Sequence, residues 1–272
     1  MGPDQVPAGI DVQVPSVARM YDYYLGGKDN FASDREAAEK MIEIGRQMGN
    51  DTREIARANR GFLGRAVRML AKAGVRQFID IGAGLPTQDN VHQVARRHVS
   101  DARVVYVDND PIVLIHARAL LASDPEVLAL EGDLRNPDAI FDDPRVTGHL
   151  DLTQPYAVLM VAVLHFVFDD EEADRITARV RERLGSGNHL VLSHIYVGDA
   201  GDRATQAGQQ VYSTTASGGI ARRGYDRIAG YFGDMEVLAP GLVPVADWDP
   251  ETPPEKVDLV RSGILAGVGR VR

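Results

Sequence analysis

Three short apolar runs of this 272-residue chain end at or beside a carboxylate, and a fourth runs into a histidine. The first carries Asp80 and is followed at once by Gly82, Ala83 and Gly84. The second ends Val107-Asp108-Asn109-Asp110-Pro111, the third ends Gly132-Asp133-Leu134, and the fourth leads into Leu164-His165-Phe166. A plain turn needs one glycine at most, so two glycines one residue apart point to something outside the chain approaching the backbone. Asp108, at a strand tip, can accept two hydrogen bonds from a ribose diol, which neutral side chains do less well. Asp110, directly before a proline, reads instead as a turn or helix-capping residue. Asp80 then discriminates among ribose-containing ligands. A dinucleotide site wants G-x-G-x-x-G with a pyrophosphate on a helix N-terminus. Here Thr87 occupies the third glycine position, and a carboxylate at Asp80 would repel a pyrophosphate. An acid in that place suits a cation such as an ammonium or a sulfonium.

The elements that must hold these residues follow from the period of the apolar pattern. Gln77–Gly82, Ala102–Asp110, Val127–Leu134, Tyr156–Phe166 and Asn188–Ile195 are short runs rich in Val, Ile and Leu. Helical patterns separate them at Thr87–His98, Pro111–Ala122 and Glu171–Leu184. Strands alternating with helices mean parallel βαβ units, and nearly continuous apolar runs mean strands covered on both faces. Two final runs, Met235–Trp248 and Gly263–Arg272, complete an expected seven-stranded, mostly parallel sheet in an α/β, Rossmann-like fold. Pro240 and Pro244 confine part of the first of these to an edge or a bend. In such sheets, ligands bind beyond the carboxyl ends of the strands, where strand order reverses. Residues 1–73 read as an N-terminal helical extension, with Ser16 placed to cap its first helix and Gly26-Gly27 to stop it. Residues 74–272 form the sheet domain, with 202–232 as a helical insertion near the substrate.

Composition narrows the function. The chain has no cysteine, which excludes disulfides, thiolate metal sites and cysteine nucleophiles. A net charge of −9 argues against a nucleic-acid partner, whose phosphates need a basic surface. The most apolar stretch, Tyr156–Phe168, is 13 residues long, too short to span a bilayer. The polar, Pro/Gly-rich N-terminus carries no evident signal peptide, so a cytoplasmic setting without membrane contact is expected. Nothing in the sequence indicates the oligomeric state.

D-x-G-x-G followed by an acid at the second strand's tip resembles the class I S-adenosylmethionine-dependent methyltransferases. The segments PSVARMYDYYLGGKDNFASDREAAEK, ARANRGFLGRAVRMLAKAGVRQFIDIGAGLPT, VVYVDNDPIVLIHARALL, GDLRNP and VAVLHFVFDD together are similar to the S-adenosyl methyltransferase family, once classed only as a domain of unknown function. The likeness runs from about Pro15 to the last strand. It implies S-adenosyl-L-methionine as cofactor. Gly82 and Gly84 would let the backbone approach its methionine end, with Asp80 near the ammonium, and Ala83 and Thr87 belong to the same cofactor-binding set. Asp108 would hold the ribose, Asn109 and Leu134 would flank the adenine, and Asp133 would accept from its exocyclic amine. Val161, at the end of the fourth strand, completes the expected cofactor set. No metal is implied.

The methyl group should then lie near the fourth strand's end, where His165 could serve as a base for an acceptor that must lose a proton. His194 is a second candidate. No N/D-P-P-Y/F motif follows that strand, which argues against adenine or glutamine-amide methylation and favours a small-molecule acceptor methylated at O or N. The stretch YDYYLGGKDNF offers Tyr21, Tyr24, Lys28 and Asn30 as a lid over the acceptor. The tyrosines could equally face the core at helical spacing. A catalytically silent S-adenosylmethionine-binding sensor is the competing function class. A nicotinamide-dependent dehydrogenase is a weaker third, opposed by the missing glycine.

Overall fold

The apolar runs form strands because their branched side chains find a helical layer on each side of the pleat. The computed structural model describes residues 11–86, 89–121, 124–196, 198, 202–259 and 263–272. Its strands are β1 (Gln77–Ile81), β2 (Arg103–Asp108), β3 (Val127–Glu131), β4 (Tyr156–Val161), β5 (His189–Tyr196), β6 (Glu236–Val237), β7 (Val243–Pro244) and β8 (Gly263–Arg270). They make one sheet in the order β3-β2-β1-β4-β5-β8-β6, with β7 also paired to β8. β1 to β5 are mutually parallel and β8 runs antiparallel to β5.

The sheet therefore has eight strands rather than the expected seven. The Met235–Trp248 run breaks into two two-residue strands, β6 and β7, that both lie against β8. Between them, Gly241 N–H turns back to Leu238 O (2.8 Å) instead of bonding across the ladder. Pro240 and Pro244 have no N–H to offer it.

The helices are α1 (Val17–Tyr24), α2 (Ala32–Gln47), α3 (Thr52–Lys72), α4 (Val91–Arg96), α5 (Pro111–Leu121), α6 (Pro137–Phe141), α7 (Pro144–His149), α8 (Asp170–Arg183), α9 (Asp202–Ser213) and α10 (Tyr225–Gly230). One sheet face buries Phe78, Val104, Leu159 and Val191 against Phe62, Leu63 and Val67 of α3 and against α4 and Trp248. The other buries Ile79, Val105, Val158 and Leu190 against α6, α7, α8 and α10. α3, grouped by sequence with the N-terminal extension, thus belongs to the sheet's own helical layer. A separate cluster of Met20, Tyr24, Ala37, Ala38, Tyr212 and Ile220 joins α1, α2 and α9 into a cap.

One buried carboxylate fastens this cap. Asp34, with no exposed surface, accepts from Phe31 N (2.7 Å), Ser16 N (2.9 Å) and Arg19 Nε (2.8 Å). Ser16 does not cap α1 as expected. Its hydroxyl donates to Asp110 Oδ2 (2.6 Å), tying the N-terminal segment to the start of α5. Asp110 does act as a cap, accepting from Ile112 N (2.8 Å).

Candidate functional site

The chain leaves β1 for β2 and β3 on one side and returns to β4 on the other, so a crevice opens above the carboxyl ends of β1 and β4. A cavity of about 730 Å³ occupies it, roofed by α1, α2, α3 and α9. That volume lies within the range of about 300–1,000 Å³ typical of small-molecule sites.

Alternation along β1 puts Asp80 on the same face as Phe78, towards α3. Only 4% of Asp80 is exposed, and burial raises its carboxyl to about 7. The charge on Arg60 opposes that shift and the neighbouring Asp108 adds to it. Asp108, at the tip of β2, accepts from Gly84 N (2.9 Å) and Asp110 N (2.9 Å). Burial outweighs those bonds and raises it to about 6. Two acids at adjacent strand tips are thus held where a cation and hydroxyl donors would favour their charged forms.

The two glycines differ in what requires them. Gly82 has φ +75°, and a Cβ there would lie 2.4 Å from Val163 Cγ2, so a side chain is excluded by the protein itself. Gly84 has φ +66°, and a Cβ would meet no atom within 4 Å. Its open side belongs to the cavity wall.

Of the residues expected from sequence, Asp80, Gly82, Ala83, Gly84 and Asp108 line the cavity. So do Asn109, Leu134, Val161, His165, Tyr21 and Tyr24. Thr87 lies outside the described residues. Asp133 is not part of the wall: its carboxylate accepts from Arg135 N (2.9 Å) and pairs with the Arg135 guanidinium (3.3 Å). Its neighbours Gly132, Leu134 and Arg135 stand there instead. Lys28 and Asn30 are also outside the wall. Asn30 Nδ2 donates to Asp22 Oδ2 (2.8 Å) and Gly27 O (3.1 Å), and Asp29 N donates to the same Asp22 oxygen (3.0 Å). A Cβ on Gly27 would sit 1.9 Å from Asp22 Oδ1. The Gly-Gly-Lys-Asp-Asn stretch is therefore a turn wound around the buried Asp22.

His165 is 5% exposed, and its Nδ1 accepts from Ile195 N (3.3 Å). A neutral imidazole so held carries its proton on Nε2 and presents a donor. Burial, then His194 and Arg223, push its protonation well below the usual histidine range. His194 is not a wall residue. Both its nitrogens are engaged, Nδ1 with Ile195 O (2.7 Å) and Nε2 with Arg223 (3.0 Å), and burial lowers it to about 3.

Among the wall residues that sequence reasoning missed are Arg60, Asn59 and Tyr212. Arg60 donates to Asp89 O (3.3 Å) and Asn90 Oδ1 (3.1 Å), while its Nε is shielded and has no partner. Asn59 links Tyr21 to the tip of β4. Its Nδ2 donates to Tyr21 Oη (2.9 Å) and its Oδ1 accepts from Ser193 Oγ (2.7 Å), which in turn accepts from Ala162 N (2.9 Å). Ala162 is one of the few non-glycine residues with positive φ, +55°. Tyr212 enters from α9. The signal for Asn59 was present: it interrupts the apolar stripe Ala56–Leu63–Ala66–Leu70 of α3.

The chain matches the S-adenosyl methyltransferase family over residues 3–272. A structure from Thermobifida fusca, described provisionally as a methyltransferase, is 38% identical, with TM-score 0.86 and 98% of each chain covered. A protein of the domain of unknown function 574 family from Streptomyces avermitilis is 36% identical, with TM-score 0.82, covering 96% of this chain and 99% of its own. No curated protein matches.

Proposed function

The chain belongs to the S-adenosyl methyltransferase family and is an S-adenosylmethionine-dependent methyltransferase, and from that premise we propose that it methylates a small molecule at oxygen or nitrogen. The observation that carries the assignment of roles is the pair of buried acids, Asp80 and Asp108, around the open face of Gly84. A carboxylate beside a cationic methionine end and a second beside a ribose diol are the acceptors this cofactor requires. Asp108 takes the ribose hydroxyls. Asp80 takes the ammonium of the methionine end, and the Arg60 guanidinium in the same wall takes its carboxylate. Asn109 and Leu134 flank the adenine, and the Gly82–Gly84 backbone lies along the chain between.

When bound, S-adenosylmethionine supplies a methyl group on a sulfonium that is already a good leaving group. What remains for the protein is to orient the acceptor and exclude water. The α1, α2 and α9 cap closes over the strand tips, which supports a small acceptor, and the net charge of −9 does not favour nucleic acid. His165, with its proton on Nε2, orients an acceptor oxygen or nitrogen by donating to it, in place of the base role the sequence suggested. Among the described residues no helix is long and apolar enough to cross a membrane.

Calorimetry tests the assignment directly. S-adenosylhomocysteine should bind and NAD should not. Asp108→Ala should weaken the former by about 1.5–3 kcal/mol, the range for a hydrogen bond to a charged group. NAD binding without a response to either sulfur cofactor would remove the assignment.

A further inference from the structure

Past the end of β4, strand β5 carries backbone groups that β4 is too short to meet. The β4–β5 ladder stops at Val161 and Ser193, and Ser193 O still accepts from Ala162 N (3.2 Å). Ile195, two residues on, turns its N–H and C=O to the same side, where partners must come from side chains. Two imidazoles supply them. Ile195 O lies 2.7 Å from His194 Nδ1, and Ile195 N donates to His165 Nδ1 (3.3 Å). The two rings stand edge to face with their centres 5.4 Å apart.

The partners settle both tautomers. A guanidinium has no acceptor, so His194 Nε2, 3.0 Å from Arg223 Nη1, must accept. The proton of the neutral His194 ring then sits on Nδ1 and is donated to Ile195 O, which can only accept. The Ile195 N–H can only donate, so His165 Nδ1 accepts and Nε2 carries the proton. Burial, the largest cause for each ring, keeps both neutral at physiological pH. The series begins at the one group that cannot change its state, because a guanidinium stays protonated. The Arg223 side chain is 1% exposed and also reaches Asp170 Oδ1 (3.0 Å), Leu164 O (3.3 Å), Val167 O (2.7 Å) and Asp169 O (3.4 Å). It therefore holds the short turn Leu164–Phe166 that brings His165 and Phe166 to the cavity wall, without itself lining that wall. Ala221 N donates to His165 O (2.7 Å) and fixes the turn from the other side.

We propose that Arg223 is a positioning residue: acting through His194 and Ile195, it fixes His165 in the tautomer whose proton is on Nε2, so that a hydrogen-bond donor meets the methyl acceptor. This rests on the methyltransferase reading above, which makes His165 the group that orients the acceptor. In the other tautomer of His194, a bare Nδ1 would face Ile195 O lone pair to lone pair. Ile195 would shift, and His165 Nδ1 would lose the donor that keeps its proton on Nε2.

Nitrogen NMR of the full chain with isotope-labelled histidine, at neutral pH, reads the tautomers directly. In the wild type, His165 should show a protonated Nε2 and a bare Nδ1, and His194 the reverse. His194→Phe breaks the series but leaves Arg223 its bonds to Leu164 and Val167. The two His165 nitrogens should then converge towards the average of both tautomers. Arg223→Met should have the same effect, and Arg223→Lys, which keeps a donor, should preserve the wild-type pattern. Unchanged affinity for S-adenosylhomocysteine shows that each variant is folded. A His194 protonated at Nε2 in the wild type would overturn the proposal, and that spectrum needs no variant to fold. So would a His165 that keeps its single tautomer in folded His194→Phe, which would leave Arg223 a structural clamp alone. Failure of the wild type to bind S-adenosylhomocysteine would instead overturn the methyltransferase reading, while the tautomers, read on the protein alone, would stand.

Discussion

Asp80 and Asp108 sit at about 7 and about 6, against 3.8 for a free aspartate, because the folded chain keeps water from them. Between roughly pH 4 and 7 the folded protein therefore holds protons that the unfolded chain releases. The stability linked to these two groups is complete below about pH 4 and is lost as pH rises through 6 and 7. Ligand binding runs the other way, since an ammonium and ribose hydroxyls favour the ionised acids. The affinity for S-adenosylhomocysteine should rise from pH 5 to 8, by up to about tenfold per unit for each proton released. Calorimetry across that range checks it, and a flat profile would detach both acids from the ligand. His165, neutral throughout, should add no feature, so His165→Gln should leave the profile's shape unchanged. The glycines separate in the same way. Gly82→Ala meets Val163 and should destabilise the fold markedly by thermal melting. Gly84→Ala meets only empty space, so it should lose about 1–2 kcal/mol to its left-handed backbone and the rest of its effect should appear in cofactor affinity.

Elements are coupled through buried polar groups that no single segment could satisfy. Asn59 of α3 joins Tyr21 of α1 to Ser193 of β5, and Ser193 holds the Ala162 turn at the end of β4. Every donor in that chain has an acceptor, ending at Tyr21 Oη donating to Ala56 O (3.0 Å). Removing one member strands its neighbours. Asn59→Ala should cost about 1–3 kcal/mol in denaturant unfolding, the penalty for unpaired buried groups. A double-mutant cycle with Ser193→Ala should show a coupling of about 0.5–3 kcal/mol, because both variants break the same chain. Strict additivity would mean that the two act separately. Asp34 plays a comparable role for α1 and α2 by gathering three donors in a fully buried site.

Across the whole molecule, the cap meets the sheet and its helices around the cavity, through these polar links and through apolar contacts such as Ala18 and Phe31 on Leu85, Ile112 and Val113. If the cap closes on bound cofactor, S-adenosylhomocysteine should slow hydrogen exchange in α1 and in the second half of α9, as well as at the strand tips. Protection confined to the Asp80–Gly84 and Asp108–Asp110 turns would make α1 and α9 a fixed roof. Such a roof would still set the shape of the acceptor site but would not gate it.

Much of this was legible along the chain. Apolar period, proline and glycine placement and acids at run ends are local properties. They were enough to locate the parallel strands, the helices α4, α5 and α8 between them, the D-x-G-x-G turn and the Asp108 tip, though not the short α6 and α7. The prolines marked Met235–Trp248 as irregular, though not that it would divide into two strands. Which side chains face the cavity is a different kind of fact. Lys28 and Asn30 looked functional because they crowd a Gly-Gly break, yet Asp22 draws that turn away from the wall. Ser16 looked like a cap and reaches Asp110, 94 residues away. Arg60, Asn59 and Tyr212 acquire their places only when α3 and α9 pack over the strand ends. A residue's neighbours across such distances are set by how apolar faces pair, and that pairing is decided only when the whole chain is folded.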